Sequence, residues 1–149
     1  MSTVYLAGPM SGIPQFNYPL FQKVAETLRE RGQTVINPAE MDDPAVREVS
    51  MVSEDGNFGE DGKVAGHTWG DFLSRDVKIV ADLADEVCLL PDWETSRGAR
   101  TEAFIALNVG KKVFEWSEVW NCPMRLHPQA VMKAITKYTL DQGDVKRYG

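Results

Sequence analysis

Glu86-Val87-Cys88-Leu89-Leu90-Pro91-Asp92-Trp93-Glu94-Thr95-Ser96-Arg97-Gly98-Ala99-Arg100-Thr101-Glu102 holds a strand, a turn and the opening of the helix that follows. The apolar run 86–90 reads as a strand, and Pro91-Asp92 stops it. Ser96 or Thr95 then caps a helix predicted over 96–109, which Gly110 ends. Lys112–Trp116 follows as another strand. Upstream the same rhythm recurs. Thr3–Ala7 is an apolar strand closed by Gly8-Pro9. Residues 16–31 place Phe16, Leu20, Phe21, Val24, Ala25 and Leu28 at a helical period, with Asn17 as the expected cap and Gly32 as the stop. Thr34–Ile36 is a second strand, halted by Asn37-Pro38. Thr68, with Asp71 three residues on, is close to a capping box for a helix bearing Trp69, Phe72, Leu73, Val77 and Val80. A last helix is expected over Pro128–Leu140, and a polar tail after Asp141. Strands alternating with helices imply an α/β fold with a central parallel sheet covered on both faces. Ligands of such folds bind at the carboxyl ends of the strands, here 7–12, 37–40 and 91–98.

The 149 residues fit one domain, 43% hydrophobic and 26% charged, an ordinary composition for a soluble globular protein. Cys88 and Cys122 make no disulfide framework and no zinc motif, and Cys88 reads as an inert core thiol. His67 and His127 have no partner pattern, so no metal is expected, and no cofactor. The amino terminus lacks a signal-peptide pattern and no run reaches the ~18 apolar residues of a membrane span, so the expected location is the cytoplasm. Of the net charge of −6, all is accounted for by residues 41–61, where seven acids face one base, Arg47. With no basic stripe, polymeric nucleic acid is not an expected partner; a single nucleotide, held by a few backbone amides, remains one. Residues 39–66 show no sustained period and read as a long loop, either a lid or a solvated surface segment. Its Asp55-Gly56-Asn57-Phe58-Gly59 resembles a calcium loop only briefly, failing at Gly59 and again at Gly66.

Chemistry concentrates in two turns. Gly8-Pro9-Met10-Ser11-Gly12 follows a strand and precedes a helix, which suits either a phosphate or sugar cradle or an ordinary turn; it matches neither the P-loop nor the dinucleotide fingerprint. At 96–98, the helix start and Arg97 favour an anion, or serve only as a cap. Ala99, Glu102, Ala103 and Ala106 share one helical face, where a carboxylate is costly unless paired or facing a cavity. Asp76 poses the same question on its own helix, with Arg75 or Arg97 as candidate ion-pair partners. Two inward acids fit paired carboxylate chemistry at a sugar carbon. Tyr5 is either core or an orienter of Glu102. Trp69 and Trp93 are core residues or stacking surfaces for a base.

Together, Tyr5-Leu6-Ala7-Gly8-Pro9-Met10, Asn37-Pro38, Arg75-Asp76, Asp85, Ser96-Arg97-Gly98-Ala99, Glu102 and Gly110-Lys111-Lys112-Val113 resemble the nucleoside 2-deoxyribosyltransferase superfamily over about residues 3–116, in a small branch often left as a domain of unknown function. The resemblance implies a flavodoxin-like three-layer sandwich and cleavage of a deoxyribosyl N-glycosidic bond. In it Glu102 is the nucleophile, Asp76 touches sugar or base, and Tyr5 orients. Six residues before the glutamate, Ser96 stands where the transferases carry Asp and the 5′-monophosphate hydrolases carry Ser. The resemblance therefore favours a nucleotide hydrolase, with Gly8, Met10, Ser11, Gly12, Asp92, Trp93, Ser96, Arg97 and Gly98 lining the substrate. A base-exchanging transferase and a non-catalytic nucleotide-binding module are the alternatives. Arg100-Thr101-Glu102-Ala103-Phe104 departs from the family's usual Gly-Tyr-Glu-Leu-Gly. A homodimer is expected by resemblance, with Phe114, Trp116 and Trp120 as its apolar patch.

Overall fold

Residues 3–7 form the centre of the molecule because they alternate between two buried environments. The computed structural model describes residues 2–141; the polar tail expected after Asp141 lies outside them. In chain order its elements are β1 (Thr3–Ala7), α1 (Tyr18–Glu30), β2 (Thr34–Ile36), α2 (Pro38–Met41), α3 (Pro44–Met51), β3 (Lys63–Val64), β4 (His67–Thr68), α4 (Trp69–Asp82), β5 (Glu86–Leu89), α5 (Arg97–Asn108), β6 (Lys112–Ser117), β7 (Cys122–Arg125) and α6 (Pro128–Asp141). The main sheet runs β2-β1-β5-β6-β7, parallel except for the last pair. This is the flavodoxin-like order, with the switch point between β1 and β5.

Val4 and Leu6 face one core with Cys88, Leu90, Phe21, Val24 and Leu28; Tyr5 and Ala7 face the other with Val87, Leu89, Val80, Ala99, Ala103 and Ala106. Helix α1 thus covers one face of the sheet, while α4, α5 and α6 supply the second core. The period of two in β1 places the Tyr5 side chain toward α4 and α5, where both candidate acids lie. At the end of β1, a Cβ on Gly8 would stand 2.8 Å from the Leu90 Cβ, so only glycine lets β1 and β5 leave the sheet side by side.

Four expectations are corrected. Segment 39–66 is not a plain loop. Asn37 and Asp43 cap α2 and α3, their carboxamide and carboxylate oxygens accepting the amides of Ala39 and Val46 at 3.0 Å. Each cap is followed by proline at the first helical position, and α3 buries Val46 and Ser50, one turn apart. The β3–β4 hairpin closes on Ala65 and Gly66, both left-handed (φ 47° and 86°), the geometry of a tight two-residue turn. Second, Asn17 caps nothing. It lies in a left-handed stretch with Gln15 and Phe16 (φ 61°, 57° and 50°), and its amide donates to the Pro9 carbonyl at 2.9 Å. Third, the sheet gains an antiparallel edge strand, β7, in which Pro123 sits as edge strands allow. Fourth, Trp116 is buried, 3% exposed, so it cannot join a surface patch; Trp120 is 72% exposed and Phe114 is half-buried. The expected capping box is present: Thr68 Oγ1 accepts from the Asp71 amide, and the Asp71 carboxylate accepts from the Thr68 amide. No helix among the described residues is long and apolar enough to cross a membrane.

Candidate functional site

Helix α5 begins at Ser96, whose Oγ accepts the Ala99 amide at 3.1 Å. Its small face, Ala99, Ala103 and Ala106, lies against the sheet with all three residues buried. Close packing on that face carries Glu102 inward with it, 6% exposed. The Tyr5 hydroxyl, reaching across from β1, donates to Glu102 Oε2.

Helix α4 brings the second acid. Asp76 is buried one position after Arg75, and the guanidinium makes a three-pronged contact. Its Nε donates to Asp76 Oδ1 at 2.8 Å, its Nη1 to Asp42 Oδ1 at 2.6 Å, and its Nη2 to the Pro38 carbonyl at 3.4 Å. The planar fork of arginine suits this; a lysine ammonium does not span it. Asp42, between α2 and α3, also accepts the Tyr18 hydroxyl from α1. Five elements therefore converge on one chain of contacts, Tyr18–Asp42–Arg75–Asp76, beside the Tyr5–Glu102 pair.

Burial pushes the Glu102 carboxyl well above the usual carboxylate range, and the charge of Asp76 adds to the push; the Tyr5 hydrogen bond and Arg75 pull back only in part. Asp76 is raised too, first by burial and further by the charge of Asp42, against the hydrogen bond and charge of Arg75 and the Tyr5 hydroxyl. Burial, then the two carboxylates, hold the Tyr5 hydroxyl well above its ordinary value, so it stays a donor. The Asp76 charge bears on Glu102 and burial raises both acids, so this site keeps a proton where isolated carboxylates have lost theirs.

The cleft above them is a cavity of about 90 Å³ that opens to solvent at its mouth. Gly8, Met10, Ser11, Asp76, Ser96, Gly98 and Glu102 line it, seven of the residues singled out from the sequence. Tyr5 lies beneath, reaching the cleft through Glu102. Gly12, Asp92, Trp93 and Arg97 are not in the lining. Trp93 sits in the core, 2% exposed, with its indole N–H donating to Glu115 at 2.8 Å. Asp92 is exposed in a left-handed turn. The Gly12 amide is engaged by the Gly56 carbonyl at 2.8 Å. Arg97 stacks at 4.7 Å on Trp69, and Trp69 itself is a cleft wall. The helix-start amides and the Ser96 hydroxyl thus border the same space as the two acids, with a cation at the rim.

The residues that the sequence did not single out come mostly from segment 39–66. Asp42, Val46, Ser50, Phe58 and Val64 all line the cleft, joined by Phe16 and Tyr18. Phe58 stands edge-on to Phe16 and to Phe72, with ring centroids 6.1 and 6.0 Å apart. From sequence the acidic segment reads as a lid or a solvated surface loop; five of its residues instead form part of the cleft wall. The signals were there in the proline-led caps at Asn37 and Asp43 and in a lone Phe58 among polar residues.

Among the described residues no cluster of His, Cys, Asp and Glu could hold a metal ion. No curated protein matches the chain. A family model described as a domain of unknown function, DUF4406, matches residues 2–115, which include β1 through most of β6 and every residue of the carboxylate pair and its supports. The chain belongs to the DUF4406 family.

Proposed function

We propose that the protein is an N-glycoside hydrolase acting on 2′-deoxynucleoside 5′-monophosphates, releasing free base and deoxyribose 5-phosphate. The observation that carries this reading is the buried pair, Glu102 oriented by Tyr5 and Asp76 held by Arg75, lining the same cleft as Ser96 at the start of α5. In the reactive form the pair holds one proton, on Asp76, and Glu102 is anionic. Glu102 attacks C1′, forming a C1′–O ester, while the C1′–N bond breaks and its electron pair goes to the base nitrogen. Asp76 gives that nitrogen its proton. Water then attacks C1′, Asp76 takes the water's proton, and the ester electron pair returns to Glu102. The helix start, Ser96 and Ser11 offer donors to the 5′-phosphate, and Arg97 offers a charge at the rim. The apolar wall of Phe58, Phe72 and Trp69 offers the base a surface to stack on.

The test is incubation with a panel of deoxynucleoside 5′-monophosphates, C5-modified pyrimidines included, with chromatographic detection of free base. The expected result is release from at least one member, with kcat/KM about tenfold lower or worse on the matching nucleoside, since a charge-assisted bond contributes roughly 1.5–3 kcal/mol. No release from any member contradicts hydrolysis. Base exchange in place of release points to a transferase.

A further inference from the structure

Asp42 is an expensive residue to place where it lies. Its side chain is 6% exposed and contacts no base of its own segment; it is committed to Arg75 and Tyr18. Arg75 is in turn the only cation among the described residues bonded to Asp76, so every interaction Asp42 makes with Arg75 is one Asp76 shares. We propose that Asp42 is a positioning residue that, by dividing Arg75 between two carboxylates, keeps the proton on Asp76 to a higher pH than an undivided Arg75 would allow. This rests on the pair acting as the reactive centre, although its test does not.

The groups facing Asp76 come from every neighbouring element. Arg75 flanks it on α4, Asp42 approaches from the α2–α3 junction with Tyr18 of α1 behind it, Tyr5 rises from β1, and Glu102 of α5 lines the same cleft. With Asp42 ionised, Arg75 is divided between two carboxylates, and a second negative charge stands near Asp76; both effects favour the neutral form of Asp76. A neutral Asp76 spares Glu102 a repulsive neighbour, so less stands against the Glu102 anion that Tyr5 stabilises. Without the Asp42 charge, Arg75 belongs to Asp76 alone. Asp76 then ionises more readily, and its charge pushes the Glu102 carboxyl further up, away from the anion that attack at C1′ uses. Segment 39–66 would thus contribute to the chemistry as well as to the wall.

The experiment follows the side-chain carboxyl carbons of Asp76 and Glu102 by NMR across a pH titration of the full chain without any ligand. It compares wild type with Asp42→Asn, Asp42→Ser and Asp42→Glu. The neutral variants are expected to move the Asp76 midpoint down and the Glu102 midpoint up, and Asp42→Glu to restore the wild-type midpoints. Two neutral replacements are used so that a folding failure in one leaves the other. Midpoints that stay put in a folded neutral variant, or move together in one direction, overturn the proposal and leave Asp42 as a packing residue. Because no substrate is present, absence of base release would remove the hydrolase reading without deciding this one, and the reverse also holds.

Discussion

Glu102 and Asp76 are each destabilising where they sit, and the residues around them are arranged so that neither is alone. Tyr5 donates to one and Arg75 to the other, which is how a buried acid is kept from being merely costly. Replacing Glu102 by Gln keeps the shape and an acceptor for Tyr5 but removes the anion that the proposed hydrolysis uses for attack. Base release should fall by roughly 10⁴-fold or more, the scale seen when a nucleophile is removed, as read from initial rates. Tyr5→Phe acts differently. It removes a bond that favours the Glu102 anion, so the acid limb of the kcat/KM profile should move to higher pH. A uniform drop at all pH values with no movement of the limb would show that Tyr5 only packs. Cys88, buried in β5 and pushed up to about 12 chiefly by burial, should resist alkylation in the folded protein.

At the scale of elements, two close approaches hold the cleft in shape. A side chain on Gly8 meets Leu90, and one on Gly56 would stand 1.9 Å from the Ile13 carbonyl at a left-handed φ of 70°. Gly8→Ala should cost about 1–3 kcal/mol as an overpacking change. Gly56→Ala should cost at least as much, since strain adds to the clash, and it should also loosen the bonds from Gly12 to the Gly56 carbonyl and from Gln15 to the Ser53 carbonyl, each 2.8 Å. Urea midpoints measure both; an unchanged midpoint for Gly56→Ala would mean that segment 39–66 is not seated on the glycine turn. How far these elements can be read from sequence follows their length and period. Helices α1, α4 and α5 bury long stripes against the sheet, so their periodicity is visible, and the inward face of α5 leads straight to Glu102. Helix α3 has only eight residues and buries two, too few to show a period, and α2 is a single turn. Strand β7 has a half-buried and exposed pattern with a proline in it, so nothing apolar marks it. Asp42 does not stand out in the sequence because its partners, Tyr18 and Arg75, lie 24 and 33 residues away.

For the whole molecule, the raised acids make stability depend on pH in a definite direction. A carboxyl whose folded value lies above its unfolded value binds its proton more tightly in the folded state. The contribution of these two groups to stability is therefore greatest below the ordinary carboxylate range and declines as pH rises from there through the raised folded values of Asp76 and Glu102. Glu102→Gln removes one such group, so this variant should melt at a higher temperature than wild type at neutral pH, with the gain shrinking toward pH 4. A lower melting temperature at neutral pH would mean that the carboxyl contributes more to packing than its charge costs. The most direct test of the central claim is mass spectrometry of acid-quenched wild type during turnover of a released-base substrate, alongside Glu102→Gln. The account predicts a deoxyribose 5-phosphate adduct on the peptide containing Glu102 and neither adduct nor turnover in the variant. Undiminished base release by Glu102→Gln, or an adduct on another residue, would contradict it.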